Sequence, residues 1–210
     1  MKGVDIKELF TDGATVSEIQ DKLPKLFRIA EIESSRAGKI GMEVGSLREK
    51  VIGGLLIYKF GEDKINTNIP ITEPETDVVI AGKNLSIKTI TGNGGVKAVW
   101  TVDAESSARF IQNYEPKCDM LLIQIWWNEN KDSFFFIPIE VQREVFRKLG
   151  KDKYLKMPKA GTNPLGVEFS KEAIELMLTN KKTLRIKINW IKSNTEYNVY
   201  KRWVDLWREV

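Results

Sequence analysis

Two side chains in this sequence stand at a spacing that can do chemistry. Asp77 opens the apolar run Val78-Val79-Ile80, and Lys88 lies in Leu85-Ser86-Ile87-Lys88-Thr89-Ile90, with Ala81-Gly82-Lys83-Asn84 between them. If the two runs are strands joined by that glycine- and asparagine-bearing turn, acid and ammonium meet on one sheet surface. Ser86, two residues before Lys88, projects from the same face. A carboxylate can hold a hard divalent cation that polarises a phosphoryl oxygen and an attacking water, while a neighbouring lysine steadies the hydroxide or the pentacovalent charge. The pair therefore suits metal-assisted hydrolysis of a phosphodiester. The competing reading is a plain ion pair on a solvated hairpin face.

The composition narrows the chemistry further. There are no histidines among the 210 residues, so a serine or cysteine nucleophile has no histidine base, and histidine metal centres are closed. One cysteine, Cys118, can form neither an internal disulfide nor a cysteine-based zinc site, which fits a reducing cytoplasm. Hydrolysis must then rest on carboxylates, lysines and an oxygen-bound cation. Apolar runs such as Phe134 to Pro138 are too short to span a bilayer, and the first residues lack the apolar core of an export signal. The net charge of +4 points to a nucleic-acid partner only if the basic residues gather on one face.

The elements that must position the pair follow from periodicity. One α/β domain over 1–210 is expected, with helices first, a mixed central sheet next and helices on its faces, and with 1–38 as an N-terminal helical subregion. Thr15 to Leu23 reads as a helix capped by Thr15 or Ser17, punctuated by Pro24, and Lys25 to Ser34 as a second one. That pair could be a helix-turn-helix or simply helices packed on a core. Val44 to Tyr58 carries Leu47, Val51, Leu55 and Ile52, Leu56 at helical spacing. The Gly53-Gly54 pair inside it suggests a close approach by another element. Lys97 to Val102, Met120 to Trp127, Phe134 to Glu140 and Thr183 to Ile191 read as strands. Ala104 to Tyr114, Val141 to Leu149, Lys171 to Leu178 and Tyr197 to Val210 read as helices, and Lys156 to Val167 as a loop. Trp100, Trp126, Trp127 and Trp190 suit a core or an interface better than stacking platforms.

Two strand residues cannot complete a metal shell, so a second acid is needed. Glu49 lies on the border of the apolar stripe of its helix, where an acid can face the sheet; it could equally be a solvated partner of Arg48 or Lys50. Asp103, after the strand that follows Lys88, is the second candidate, against the simpler role of helix cap. Glu43 is the third.

The pattern Thr76-Asp77, then Ser86-Ile87-Lys88, resembles the PD-(D/E)XK nuclease superfamily, whose motif is an acid, a short strand connection, then acid-X-lysine. Serine stands here where the second acid belongs, a variant that some restriction enzymes of the superfamily share, with the carboxylate supplied from elsewhere. Leu85 to Thr89, Lys97 to Trp100, Gly161 to Pro164 and Tyr200 to Trp203 are similar to small type II restriction endonucleases, and within them to the ThaI-like subgroup that cuts within CGCG. The resemblance implies a restriction-endonuclease-like fold and a Mg2+-dependent, site-specific endonuclease acting on double-stranded DNA. It further implies 5′-phosphate products, a homodimer on a palindromic site, and a cytoplasmic location. Asp77, Lys88, Ser86 and Glu49 would form the catalytic set, with Asp77, Glu49 and Asp103 as metal-holding acids. Leu47 or Met42 could wedge into a base step, against ordinary core packing. Two loops would meet DNA, each of them otherwise a surface loop: Thr89 to Lys97, through Thr89, Thr91, Asn93 and Lys97, and Lys156 to Pro164, through Lys159 and Asn163. A structure-specific resolvase or repair nuclease of the same fold, or a non-catalytic DNA-binding protein, would be the rivals.

Overall fold

The computed structural model describes residues 4–36, 39–41, 43–70, 73, 75–159 and 165–209. Met42 and Asn163 therefore lie outside the described residues. The elements run α1 (Glu8–Thr11), α2 (Gly13–Ser34), β1 (Ser35–Arg36), β2 (Lys39–Ile40), α3 (Val44–Phe60), β3 (Ile65–Asn66), β4 (Val78–Ile80), β5 (Lys83–Thr91), β6 (Lys97–Thr101) and α4 (Ala104–Asn113). They continue with β7 (Asp119–Ile125), β8 (Asn130–Ile137), α5 (Ile139–Leu149), α6 (Lys151–Tyr154), β9 (Leu155–Lys156), β10 (Leu165–Phe169), α7 (Lys171–Thr179), β11 (Leu184–Asn189) and α8 (Lys201–Glu209).

The main sheet has the order β11-β8-β7-β5-β4-β3, with β5 and β7 parallel and the other neighbours antiparallel. A parallel neighbour requires a crossover, which β6 and α4 supply. Because β7 is covered on both faces, it reads as a nearly continuous apolar run, whereas β5 is apolar at Leu85, Ile87 and Ile90; alternate residues of the two strands feed two cores. Leu121, Ile123 and Ile125 join Leu85 and Ile87 against α1, α2 and α3, through Leu9, Ile19, Leu23, Phe27, Ile52 and Leu56. Met120 and Leu122 join Ile90 on the opposite face, with Val141, Val145, Tyr154 and Met177. The second face also carries the small antiparallel sheet β6-β10-β9.

Several sequence-based expectations change. Pro24 does not separate two helices: α2 runs unbroken from Gly13 to Ser34 with Pro24 inside and buried. A mid-helix proline removes one ladder bond and costs about 3 kcal/mol. The continuous buried stripe Ile19, Leu23, Phe27, Ala30 on either side of it offsets that cost. A helix-turn-helix is therefore absent at this point. The helix begins earlier than expected, and Thr15 donates to the Asp12 carboxylate (2.5 Å) rather than capping the helix itself. The region read as a loop, Lys156 to Val167, has strand at both ends, the last residue of β9 and the first residues of β10, and Glu140 belongs to α5, not to a strand. Gly53 meets nothing nearer than the Thr67 methyl, 3.9 Å from where a Cβ would sit, and Gly54 faces open space. Gly54 instead borders a groove of about 370 Å3 between α2 and α3, lined also by Ile19, Leu23, Leu26, Val51, Leu55 and Tyr58. Of the four tryptophans, Trp190 is fully buried, Trp126 and Trp127 pack partly buried against the core, and Trp100 is exposed.

Candidate active site

The β4–β5 hairpin sets the geometry. Its turn is shorter than the four residues expected: it consists of Ala81 (φ 46°) and Gly82 (φ 81°), both in the left-handed region, while Lys83 and Asn84 pair with β4 as the start of β5. Two such residues make the tight turn whose twist matches paired strands, and glycine takes the second position without strain. The register then follows: Ile80 faces Lys83, Val79 faces Asn84 and Val78 faces Leu85. Asp77 precedes the strand proper, yet its N–H donates to the Leu85 carbonyl at 3.0 Å, extending the ladder by one residue.

This places the Asp77 carboxylate beside β5. Its Oδ2 accepts from the Ile87 N–H at 2.6 Å, from the Ser86 hydroxyl at 3.2 Å and from the Lys88 ammonium at 3.2 Å. Among the described residues, the other oxygen, Oδ1, accepts no hydrogen bond and is left for another partner. Ser86 is buried, and the Asp77 and Lys88 side chains are 23% and 13% exposed, sheltered enough to strengthen the pairing and open enough to meet a ligand. β5 is held by β4 on one side and β7 on the other, with Lys88 opposite Leu122, so the lysine sits in a strand fixed from both edges.

Glu49, half-buried on α3, is brought to the same place. Burial pushes its carboxyl up to about 7, the Asp77 charge pushes the same way, and the Lys88 ammonium opposes both. The helix acid thus senses both strand residues. A further acid escaped sequence reasoning. Glu75 lies two residues before Asp77 in an irregular segment. Burial raises its carboxyl to about 7, against the pull of Lys117 and Lys88. Its carbonyl accepts from the Cys118 thiol at 3.4 Å. That thiol is itself pushed up to about 12, first by burial and then by the Glu75 charge, and stays protonated. No sequence signal marks Glu75, because its neighbours Lys117 and Cys118 come from the entrance to β7.

The remaining candidates fall elsewhere or do other work. Asp103 is exposed and caps α4, its Oδ1 accepting from the Ser106 N–H at 2.6 Å. That backbone hydrogen bond lowers its pKa, and Arg109, not Lys88, is the cation that adds to the effect. Glu43 is exposed just before α3, and Leu47 is half-buried in its first turn. In the first loop, Thr89 is half-buried, Asn93 is exposed, and the exposed Thr91 hydroxyl accepts from Arg48 at 3.1 Å. Gly92 ties that loop to the sheet, donating to the Ile125 carbonyl at 2.8 Å and accepting from the Gln124 amide at 3.0 Å. Lys97 forms an ion pair with Glu168, its register partner on β10. Lys159 is exposed.

Asp77 and Glu49 offer two carboxylates near one lysine, with hydroxyl and backbone oxygens on the same strand. No group of three or more acidic or cysteine side chains capable of holding a metal ion occurs among the described residues. A small hard cation that keeps most of its waters and binds one or two carboxylates fits this donor set, whereas a cation needing six to eight protein oxygens does not. No described helix is long and apolar enough to cross a membrane.

Comparison with known proteins gives one consistent result. Residues 9–209 match the family described as "Restriction endonuclease ThaI". A solved structure, "Restriction endonuclease in complex with substrate DNA", is 52% identical in sequence, covers 98% of this chain and 99% of its own, and superposes with a TM-score of 0.89. No curated protein matches the chain.

Proposed function

The chain belongs to the ThaI restriction endonuclease family, and from that premise we propose that it hydrolyses both strands of duplex DNA with Mg2+, through Asp77, Glu49 and Lys88, leaving 5′-phosphates. Membership in the family implies a divalent metal in general; the choice of Mg2+ follows from the two-carboxylate donor set. The observation that carries the residue assignment is the convergence of Ser86, Ile87 and Lys88 on one oxygen of Asp77, with Glu49 sensing the same charges.

The divalent ion would be held by Asp77 and Glu49 and would supply Lewis-acid polarisation of the phosphoryl oxygen and of an attacking water. The chain's own residues do the rest. The Ser86 hydroxyl and Ile87 N–H orient the Asp77 carboxylate by occupying Oδ2, which leaves Oδ1 for the ion. The Lys88 ammonium, held at 3.2 Å from Oδ2, steadies the hydroxide and the negative charge that grows on the phosphoryl group. Glu49, its carboxyl raised to about 7, carries its proton about half of the time near neutrality, and a bound cation would favour its carboxylate form. Oriented, pre-charged donors of this kind need no reorganisation during the reaction.

A two-fold dimer matched to a palindromic site, in the cytoplasm, completes the proposal. The relative that holds substrate DNA supports DNA as the ligand. The test is Lys88→Ala on supercoiled plasmid in Mg2+. Nicking should fall at least about 10²-fold while metal-free DNA binding stays near the parent value. Parent-like cleavage by this variant would remove Lys88 from the mechanism. Discrete fragments from a palindromic linear duplex separate this reading from a branched-DNA nuclease.

A further inference from the structure

A catalytic acid on a helix needs its helix held in rotation as well as in place. Apolar packing does the second: Ile52 and Leu56 bury α3 against the sheet, but hydrophobic contact is non-directional. The residue before Glu49 makes directional contacts. Arg48 is 4% exposed, and its guanidinium reaches two other elements at once. Nη2 donates to Oε1 of Glu31 on α2 at 2.6 Å, and Nη1 donates to the hydroxyl of Thr91, the last residue of β5, at 3.1 Å. Glu31 is fully buried and carries two more donors: Trp127, between β7 and β8, through Nε1 at 2.8 Å, and Arg28 at 3.4 Å. The Arg48 guanidinium also lies over the Phe27 ring, 5.7 Å from its centroid.

We infer that Arg48 and Glu31, braced by Trp127, are positioning residues that set the rotation of α3 against β5 and thereby hold Glu49 in register with Asp77 and Lys88. The inference rests on the proposed role of Glu49 as a metal-holding acid. Arg48 and Glu49 are neighbours on the helix, about 100° apart. Anchoring the first to the end of the strand that bears Ser86 and Lys88 fixes the direction of the second. Side-chain tips lie ~5–6 Å from a helix axis, so a rotation of about 20° moves one by about 2 Å. A displacement of about 1 Å can cost about 10²-fold in rate. A buried ion pair is a poor source of net stability compared with apolar residues of the same volume, and among the described residues the Arg48 Nε has no hydrogen-bond partner. Such an arrangement makes sense where it supplies direction rather than stability.

The test uses the full-length chain and three variants. Arg48→Lys keeps the charge but cannot bridge Glu31 and Thr91 as a planar fork does. Thr91→Val cuts only the link to β5. The double replacement Glu31→Gln with Arg48→Met removes both charges together, so that neither is left buried alone. For each, thermal melting, duplex binding without metal, Mg2+ affinity by calorimetry, and kcat and KM are measured. The expected result is a fall of about 10–100-fold in kcat and a comparable weakening of Mg2+ binding, in step with other residues that orient metal ligands. For the Arg48 and Glu31 variants, KM and metal-free DNA binding stay within about threefold; because Thr91 lies in a loop expected to meet DNA, its variant is read by Mg2+ affinity. Thr91→Val moves the same way by less. Folded variants with parent kcat and Mg2+ affinity overturn the inference, as does a loss confined to melting temperature. Lys88→Ala run alongside separates the two levels. If it cleaves like the parent, the catalytic assignment fails; if it is dead while Arg48→Lys is fully active, only the positioning role fails.

Discussion

Removing Glu49 should stabilise the metal-free protein while destroying its activity. Burial is the main reason this carboxyl is raised, the Asp77 charge is the second, and the result is a value of about 7 against 4.5 for the free side chain. An acid whose folded value is raised binds its proton more tightly in the folded state. Its contribution is therefore fully present below pH 4.5 and is lost as pH rises through about 7. A tenfold change in proton affinity corresponds to about 1.4 kcal/mol, so the ionised carboxylate costs up to about 3 kcal/mol at pH 8. Glu49→Gln keeps the shape and removes the charge. Chemical denaturation in EDTA at pH 5 and pH 8 measures the effect. The two proteins should be close in stability at pH 5, and the variant should be more stable at pH 8 by up to about 3 kcal/mol. Glu75 is raised to a similar value and sets a common background, which the difference between parent and variant cancels. Cleavage in Mg2+ should be lost at every pH. A variant no more stable than the parent at pH 8 would show that Glu49 is not held among the site's charges, and the reasoning would fail at its first step.

Two further predictions separate the site from its surroundings. Asp103→Ala removes the α4 cap and should lower the melting temperature while leaving kcat at the parent value; a loss of cleavage in well-folded protein would return Asp103 to the metal shell. Gly82→Val forces a branched side chain to φ 81°, at a cost of about 1–2 kcal/mol, and should reduce kcat more than DNA binding because the turn sets the register of Asp77 against Lys88. Equal losses in both would detach the turn from catalysis.

The parts of this molecule that are legible in the sequence are those whose geometry is local. The Asp77–Lys88 pairing needs only a hairpin and the alternation of a strand, and both are written in contiguous residues, although the turn is two residues and not the four that the glycine and asparagine suggest. The helix bearing Glu49 announces itself by spacing, but of its apolar residues only Ile52 and Leu56 are fully buried, with Arg48 and Gly53 beside them, while Val51 and Leu55 line the groove toward α2. What is not legible depends on partners far along the chain. Pro24 reads as punctuation because the stripe that overrides it is completed by residues of the sheet and α3. Lys97 reads as a free basic residue beside a glycine loop, but Glu168 meets it across a strand pairing that sequence patterns do not encode. The strands β9 and β10 are hidden for the same reason: they are short and sit in a small sheet whose register is set by β6. Glu75 has no pattern at all, since its environment comes from the start of β7.

The serine at position 86 ties these threads together. An acid at that position would be delivered by the strand ladder, with its direction set by the backbone hydrogen bonds of β5 on both sides. Here the buried hydroxyl instead donates to Asp77 and takes up one of the lone pairs that a neighbouring carboxylate would have repelled. On the proposed reading the second negative charge comes from Glu49 on α3, and a helix on a sheet is free to roll unless something polar stops it. The sequence places an arginine immediately before that acid, buries it, and joins it to the end of the strand that carries the lysine. Moving the carboxylate from strand to helix thus exchanges a local positioning device for a tertiary one. That exchange accounts for a cost the fold otherwise has no reason to bear: a buried glutamate and arginine in the middle of an apolar core, beside a site that needs its acids aligned to within an ångström or so.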